Sequence, residues 1–229
     1  MTDFVFPALS ASVPIVGSAQ RFPVHRIYCV GRNYADHARE MGANPEREAP
    51  FFFCKPADAV TENHAILSFP SRTKDLHHEI ELVVAIGASG KEVSLAEANK
   101  LVYGYAVGLD LTRRDLQAEA KQKNRPWDTA KGFDQSAPIT AITPRDVCGE
   151  LSQGEIFLRV NGEIKQTGNI KDLIWSIPEI IAELSTLFTL MPGDLIFTGT
   201  PAGVGAIHAG DTLIGGVSRL PELEISFID

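Results

Sequence analysis

Cysteine is scarce in this 229-residue chain. Cys29, Cys54 and Cys148 are widely spaced and odd in number, which excludes a disulfide framework or a cysteine zinc site and predicts a reducing, cytoplasmic setting. Cys29 and Cys54 lie in apolar runs and read as buried thiols. Positive charge is also short. Lys and Arg number 21 against 29 Asp and Glu, a net charge of −8, and no basic run offsets it. That argues against binding a phosphate backbone. The N-terminal MTDFVFPALSASVP has neither a basic flank nor a long apolar segment, so neither a signal peptide nor a membrane span is predicted. Internal repeats and low-complexity tracts are missing. So is the G-x-S-x-G elbow of a serine hydrolase, and the glycines between Gly199 and Gly205 lack the G-K-[ST] ending of a phosphate loop.

What is present suits one compact, strand-rich α+β domain. The 44% hydrophobic content supports a sizeable core. Residues 1–24, rich in Pro, Ser and Ala, read as an extended arm packed on the body or on a partner subunit, and 25–229 as a single domain without a clear linker. Apolar runs at 26–30, 51–56, 66–70, 77–87 and 102–111 predict strands. Asn161-Gly162 between two alternating runs predicts a hairpin. Helices are expected at 95–101, 112–123 and 177–187, the last with Pro178 in its first turn. A two-turn helix is expected between Asn33, as N-cap, and Gly42. Met191-Pro192-Gly193-Asp194 and His208-Ala209-Gly210-Asp211 are similar turns, each introducing a strand. The sum is a mixed β-sandwich or roll rather than alternating βαβ units.

Three carboxylates carry the chemistry. In the strand at 77–87, Glu79 and Glu81 share a face with Val83 and Ala85. Two adjacent acids on so apolar a strand are either solvated on an edge or neutralised by a cation. Asp110 ends a second strand whose face is otherwise Gly104, Ala106 and Gly108, with Tyr103 and Tyr105 assigned to the core. An all-oxygen set selects a hard cation, Mg2+ or Mn2+. His77 and His78 read as strand-end surface histidines and not ligands. His37 and Glu40 stand at i, i+3 on the short helix, either a solvated pair or a catalytic one. Lys131 and Trp127 fall in a loop at 125–134, and Trp127 reads as packing.

The strings CVGRNYADHAREMG, FFFCKP, HHEIEL, GYAVGLDLTRRDLQ, PWDTAKGFD, VNGEIKQ and PGDLIFTGTPAGVG resemble the fumarylacetoacetate hydrolase family, from about residue 26 to the end. The likeness is greatest to short bacterial members that act on fumarylpyruvate in gentisate catabolism, and it extends to the mitochondrial acylpyruvase and oxaloacetate decarboxylase branch. The resemblance implies a mixed β-sandwich roll, a homodimer, and metal ligation by Glu79, Glu81 and Asp110. It implies a His37–Glu40 pair on a mobile helix, a substrate-binding Lys131, and Arg114, Gln117 and Thr200 near the substrate. The expected reaction is hydrolysis of the C–C bond of a 3-acylpyruvate, with His37, oriented by Glu40, taking a proton from water. Oxaloacetate decarboxylation or keto–enol isomerisation would use the same site, and a binding module without turnover is the third alternative. A dicarboxylic acyl chain needs a cation at its far end, for which Arg32, Arg114 and Arg125 are candidates.

Overall fold

The computed structural model describes residues 5–6, 10–35 and 48–229. The N-terminal part holds β1 (Ser12–Pro14), β2 (Arg21–Pro23), β3 (Ile27–Gly31), β4 (Phe51–Lys55), β5 (Val60–Glu62) and β6 (Ile66–Ser68). Next come β7 (Leu76–His78), β8 (Ile80–Ile86), α1 (Leu95–Ala98), β9 (Val102–Leu109), β10 (Thr112–Arg113), α2 (Arg114–Gln122) and α3 (Asp128–Lys131). They are followed by β11 (Ala137–Ile139), β12 (Thr143–Pro144), α4 (Arg145–Cys148), β13 (Glu155–Val160), β14 (Glu163–Asn169) and α5 (Ile177–Leu187). The last strands are β15 (Leu195–Phe197), β16 (Gly205–Ile207), β17 (Thr212–Val217) and β18 (Leu223–Ile228).

The largest sheet runs β4-β3-β15-β8-β9-β11-β5, with β12 on β9. A five-stranded sheet, β14-β13-β17-β18-β6, packs against one of its faces, and a small sheet, β10-β7-β16, joins the two at the site end. This is the mixed α+β roll expected. Alternation along β8 explains the layering. Ile80, Leu82, Val84 and Ile86 enter the core shared with Ile156, Leu158, Leu213 and Ile225, while Val83 and Ala85 enter a second core with Cys29, Ile139 and Phe197. The hairpin turn at Asn161 and Gly162 takes positive φ at both residues (52° and 83°), the geometry that matches strand twist. Helix α5 starts on a Ser176/Glu179 capping box with Pro178 in its first turn. The two similar turns are alike in detail: Met191 N–H donates to Asp194 Oδ2 (2.9 Å), and His208 N–H to Asp211 Oδ2 (2.7 Å).

Several expectations are corrected. The stretch from 77 to 87 is not one strand, because the chain leaves the small sheet at His78 and enters the large one at Ile80, with Glu79 at the break. An edge position is excluded, since β8 lies between β15 and β9. Lys131 ends a one-turn helix rather than sitting in a loop. A bulge opposite Ala85 and Ile86 turns Tyr103 into the second core beside Phe22 (ring centroids 5.4 Å), away from Tyr105. Cys54 is exposed; Cys29 and Cys148 are buried, and all three are free thiols. The Asn33 side chain acts at long range: Nδ2 donates to Trp175 O and Thr198 O, and Oδ1 accepts from Trp175 N–H (2.7 Å). The rest of the helix expected there, with His37 and Glu40, lies outside the described residues. Residues 12–23 form the β1–β2 ribbon, which buries Val13 and Phe22 against the large sheet.

Candidate active site

Three backbone segments meet where β8 and β9 pair. Glu81 faces Gly108 across the ladder, and Asp110 N–H donates to Glu79 O (2.9 Å) just past it. This register sets Glu79, Glu81 and Asp110 side by side, all buried, with carboxylate oxygens within 4.8 Å of one another. Isolated buried carboxylates would be strongly disfavoured, so the surroundings matter. Lys131 Nζ donates to Glu79 Oε2 (2.8 Å) and Asp110 Oδ2 (2.6 Å). Arg114 Nη2 donates to Glu79 Oε1 (2.5 Å), Nη1 to Gln117 Oε1 (2.7 Å) and Nε to His77 Nδ1 (3.3 Å). His77 Nδ1 therefore accepts, and Nε2 carries the proton toward Asp75 Oδ1 (2.8 Å). His77 thus braces Arg114. Neither His77 nor His78 joins the carboxylate group. Both are less exposed than a surface reading allows, and burial pushes both imidazoles below their usual range.

Lys55 is a functional neighbour that sequence reasoning missed. Its side chain is fully buried, and Nζ donates to Leu111 O (3.2 Å) and to Lys131 O. The same Nζ lies 2.8 Å from Asp110 Oδ1, close enough for an ion pair but outside hydrogen-bond angles, so Oδ1 lacks a hydrogen-bond donor. The one signal was a lysine ending an otherwise apolar strand before Pro56. Gly199 was also missed: at φ +104° its N–H donates to Glu81 Oε2 (2.7 Å).

The donor set fits a hard divalent cation. It is all oxygen, one of its oxygens lacks a hydrogen-bond donor, and three acids supply half of an octahedral shell. Charge points the same way at the Glu81 corner. Burial, with Asp110 and Glu79 nearby, pushes the Glu81 carboxyl well above the carboxylate range despite the Gly199 N–H and Lys131. Lys131 behaves oppositely: burial works against its charge, but Asp110 and Glu79 outweigh burial and raise its pKa.

The cleft that holds the carboxylates is also lined by Thr200 and by an aromatic wall. Trp127, expected only to pack, stands in this wall, its ring 5.6 Å from Phe51 and 5.8 Å from Phe53. Arg114, Gln117 and Lys121 share the face of α2 that lines the cleft, at i, i+3 and i+7. Lys121 Nζ lies 5.1 Å from the Trp127 ring and has no carboxylate partner among the described residues. Burial, then Arg114 and Arg32, lower its pKa. Arg32 lines the same cleft, over Phe51 at 5.8 Å. Arg125 does not: it lines a separate hollow with Arg72 and Arg113. The structure thus brings Arg32, Glu79, Glu81, Asp110, Arg114, Gln117, Lys131 and Thr200 together and leaves Arg125 apart. Lys121 is an addition that its spacing from Arg114 and Gln117 could have revealed.

Comparison with known proteins agrees with this geometry. Residues 26–227 match the model of the fumarylacetoacetate (FAA) hydrolase C-terminal family. Fumarylpyruvate hydrolase of a Ralstonia species is 48% identical over 179 residues, covering 78% of this chain and 93% of the relative. The mitochondrial oxaloacetate tautomerase FAHD1 of Bos taurus is 44% identical over 191 residues, 83% of this chain and 86% of that one. The crystal structure of fumarylpyruvate hydrolase from Pseudomonas aeruginosa, in complex with Mn2+ and pyruvate, superposes with a TM-score of 0.96. It is 50% identical and covers 99% of both chains. With its site built from the same strings that first suggested the resemblance, this chain belongs to the fumarylacetoacetate hydrolase family.

Proposed function

We propose that this protein is a divalent-cation-dependent hydrolase that cleaves fumarylpyruvate to fumarate and pyruvate, a step in aromatic compound catabolism. One observation carries the reading: a buried oxygen-ligand cluster opens into a cleft with an aromatic wall and two cations, Arg32 and Lys121, that have no carboxylate partner among the described residues. A 3-acylpyruvate with a carboxylate at each end fits that layout. Its 2-oxo acid end suits the cluster, its planar chain the aromatic wall, and its far carboxylate Arg32 and Lys121. Likeness to a fumarylpyruvate hydrolase that binds Mn2+ and pyruvate supports the same assignment.

Glu79, Glu81 and Asp110 would hold Mg2+ or Mn2+, which when bound supplies Lewis-acid stabilisation of negative charge on the 2-oxo acid oxygens. Arg114 fixes the Glu79 carboxylate through Nη2, and Lys131 Nζ does so from the other side. Lys131, Gln117 and the Thr200 hydroxyl line the space beside the cluster and orient the substrate. His37, oriented by Glu40, takes a proton from water. The hydroxide adds to the distal carbonyl carbon, the C–C bond breaks, and its electron pair leaves with the pyruvate fragment, which is protonated at C3. The aromatic wall excludes water from the chain being cleaved. The three free thiols fit a reducing cytoplasm, and a homodimer is the assembly the family resemblance implies.

A second reading, oxaloacetate tautomerisation or decarboxylation, draws on the likeness to the Bos taurus protein. A spectrophotometric screen of fumarylpyruvate, acetylpyruvate and oxaloacetate with Mg2+ and with Mn2+ separates the two. The proposal expects the highest kcat/KM with fumarylpyruvate and fails if oxaloacetate exceeds it. Light scattering at micromolar concentration tests the dimer: a monomer mass rejects it.

A further inference from the structure

Gln166 stands on β14 between exposed Lys165 and Thr167, yet its side chain is buried. Its amide makes four contacts. Oε1 accepts from Ile80 N–H (3.1 Å) and faces His78 Nδ1 (2.9 Å), while Nε2 donates to Pro201 O (2.8 Å) and lies 2.8 Å from Thr200 Oγ1. A backbone N–H can only donate and a carbonyl oxygen can only accept, so Ile80 and Pro201 fix which end of the amide is which. Two consequences follow. His78 Nδ1 carries a proton and donates it to Oε1. The Thr200 hydroxyl is the acceptor in its bond with Nε2, and both N–H groups and both lone pairs of the amide are then used.

A hydroxyl that accepts one hydrogen bond still has its own proton to place. Among the described residues nothing accepts it, and Thr200 lines the cleft beside Glu79, Glu81 and Lys131. We infer that Gln166 is a positioning residue: by donating to Thr200 Oγ1 it makes that hydroxyl present its proton to an anionic oxygen of the bound 2-oxo acid. This rests on the function proposed above. The network reaches from the hairpin strand β14 across β7 to the loop after β15, so the direction of one proton is set by three parts of the fold. His78 and Ile80 stabilise the amide, and the amide orients the hydroxyl.

The test is calorimetric titration of pyruvate into the Mn2+-loaded protein. Thr200→Val removes the hydroxyl at nearly constant volume and should weaken pyruvate binding about 10-fold or more, the loss expected for a hydrogen bond to a charged group. Gln166→Glu puts an acceptor where Nε2 was, so the hydroxyl turns its proton away from the ligand and binding should weaken comparably. The double variant should bind within about twofold of Thr200→Val alone, and Thr200→Ser should bind like wild type. Additive losses in the double variant would show that Gln166 acts only structurally and would overturn the inference. Should Gln166→Glu fail to fold, Gln166→Met takes its place in the cycle. Unchanged binding by Thr200→Val overturns the inference whatever the Gln166 variants do. If wild type does not bind pyruvate at all, the proposed function falls first.

Discussion

Lys121→Gln tests how the far end of the substrate is read. Lys121 is half-buried, stacked on Trp127, and has no carboxylate partner among the described residues. Burial and the neighbouring Arg114 and Arg32 disfavour its charge, so an arriving carboxylate would relieve an existing repulsion. At a contact of about 4 Å and an effective dielectric of about 20, the gross attraction is about 4 kcal/mol. Desolvation of the carboxylate and ordering of the side chain reduce that to about 1.5–3 kcal/mol net, the range for hydrogen bonds to charged groups. Lys121→Gln should therefore lower kcat/KM for fumarylpyruvate about 10- to 100-fold. Acetylpyruvate has no distal carboxylate, and its kcat/KM should change less than about twofold. The assay follows loss of the enol absorbance of each substrate at fixed Mg2+, at low and at high salt, because the effect should shrink as salt screens the pair. An equal loss for both substrates, or none for fumarylpyruvate, would refute the reasoning: Lys121 would then act on the shared 2-oxo acid end or not at all.

Mn2+ at about 100 times its dissociation constant should stabilise the fold by about 2.7 kcal/mol, raising Tm by roughly 5–10 °C in a chain of this size, and Glu81→Gln should abolish the shift; differential scanning calorimetry reads both. Lys55→Met leaves Asp110 without one of its two buried cations and should cost about 3–5 kcal/mol in urea unfolding, with Lys131 limiting the loss; a cost below about 1 kcal/mol would contradict the role given to Lys55. Asp115 accepts from Thr73 Oγ1, Lys74 N–H and Leu116 N–H. Burial alone would raise its pKa, but these donors hold it below the usual aspartate value. A depressed carboxylate stabilises above its unfolded pKa, about 3.9, and that stability is lost as pH falls through the lower folded value. Asp115→Asn should thus cost about 1 kcal/mol at pH 7 and almost nothing near pH 2, as read from unfolding free energies at the two pH values.

The sequence by itself determined what depends on local order. Alternation along the stretches 77–87 and 102–111 named the three carboxylates and the layers they border, because side-chain direction in extended chain follows from residue parity. Asn161-Gly162 determined a hairpin, and Ser176-x-x-Glu179 with Pro178 a helix start, since those residues satisfy the required dihedrals and end groups locally. Tertiary structure alone decided what depends on residues distant in the chain. Whether Glu79 and Glu81 were solvated or buried turned on β15 pairing with β8, which removes the edge. The partners of Asp110, Lys55 from β4 and Lys131 from α3, come from separate segments, so no spacing rule joins them. Arg125 was a candidate for the far carboxylate and Lys121 was not, and only the packing of α2 shows Lys121 facing the cleft and Arg125 lining another hollow. Gln166 closes the family-like string VNGEIKQ, but nothing in its polar strand signalled a role for its side chain. Its role exists because β14 folds over the loop at Thr200, where a buried amide must place two donors and two acceptors.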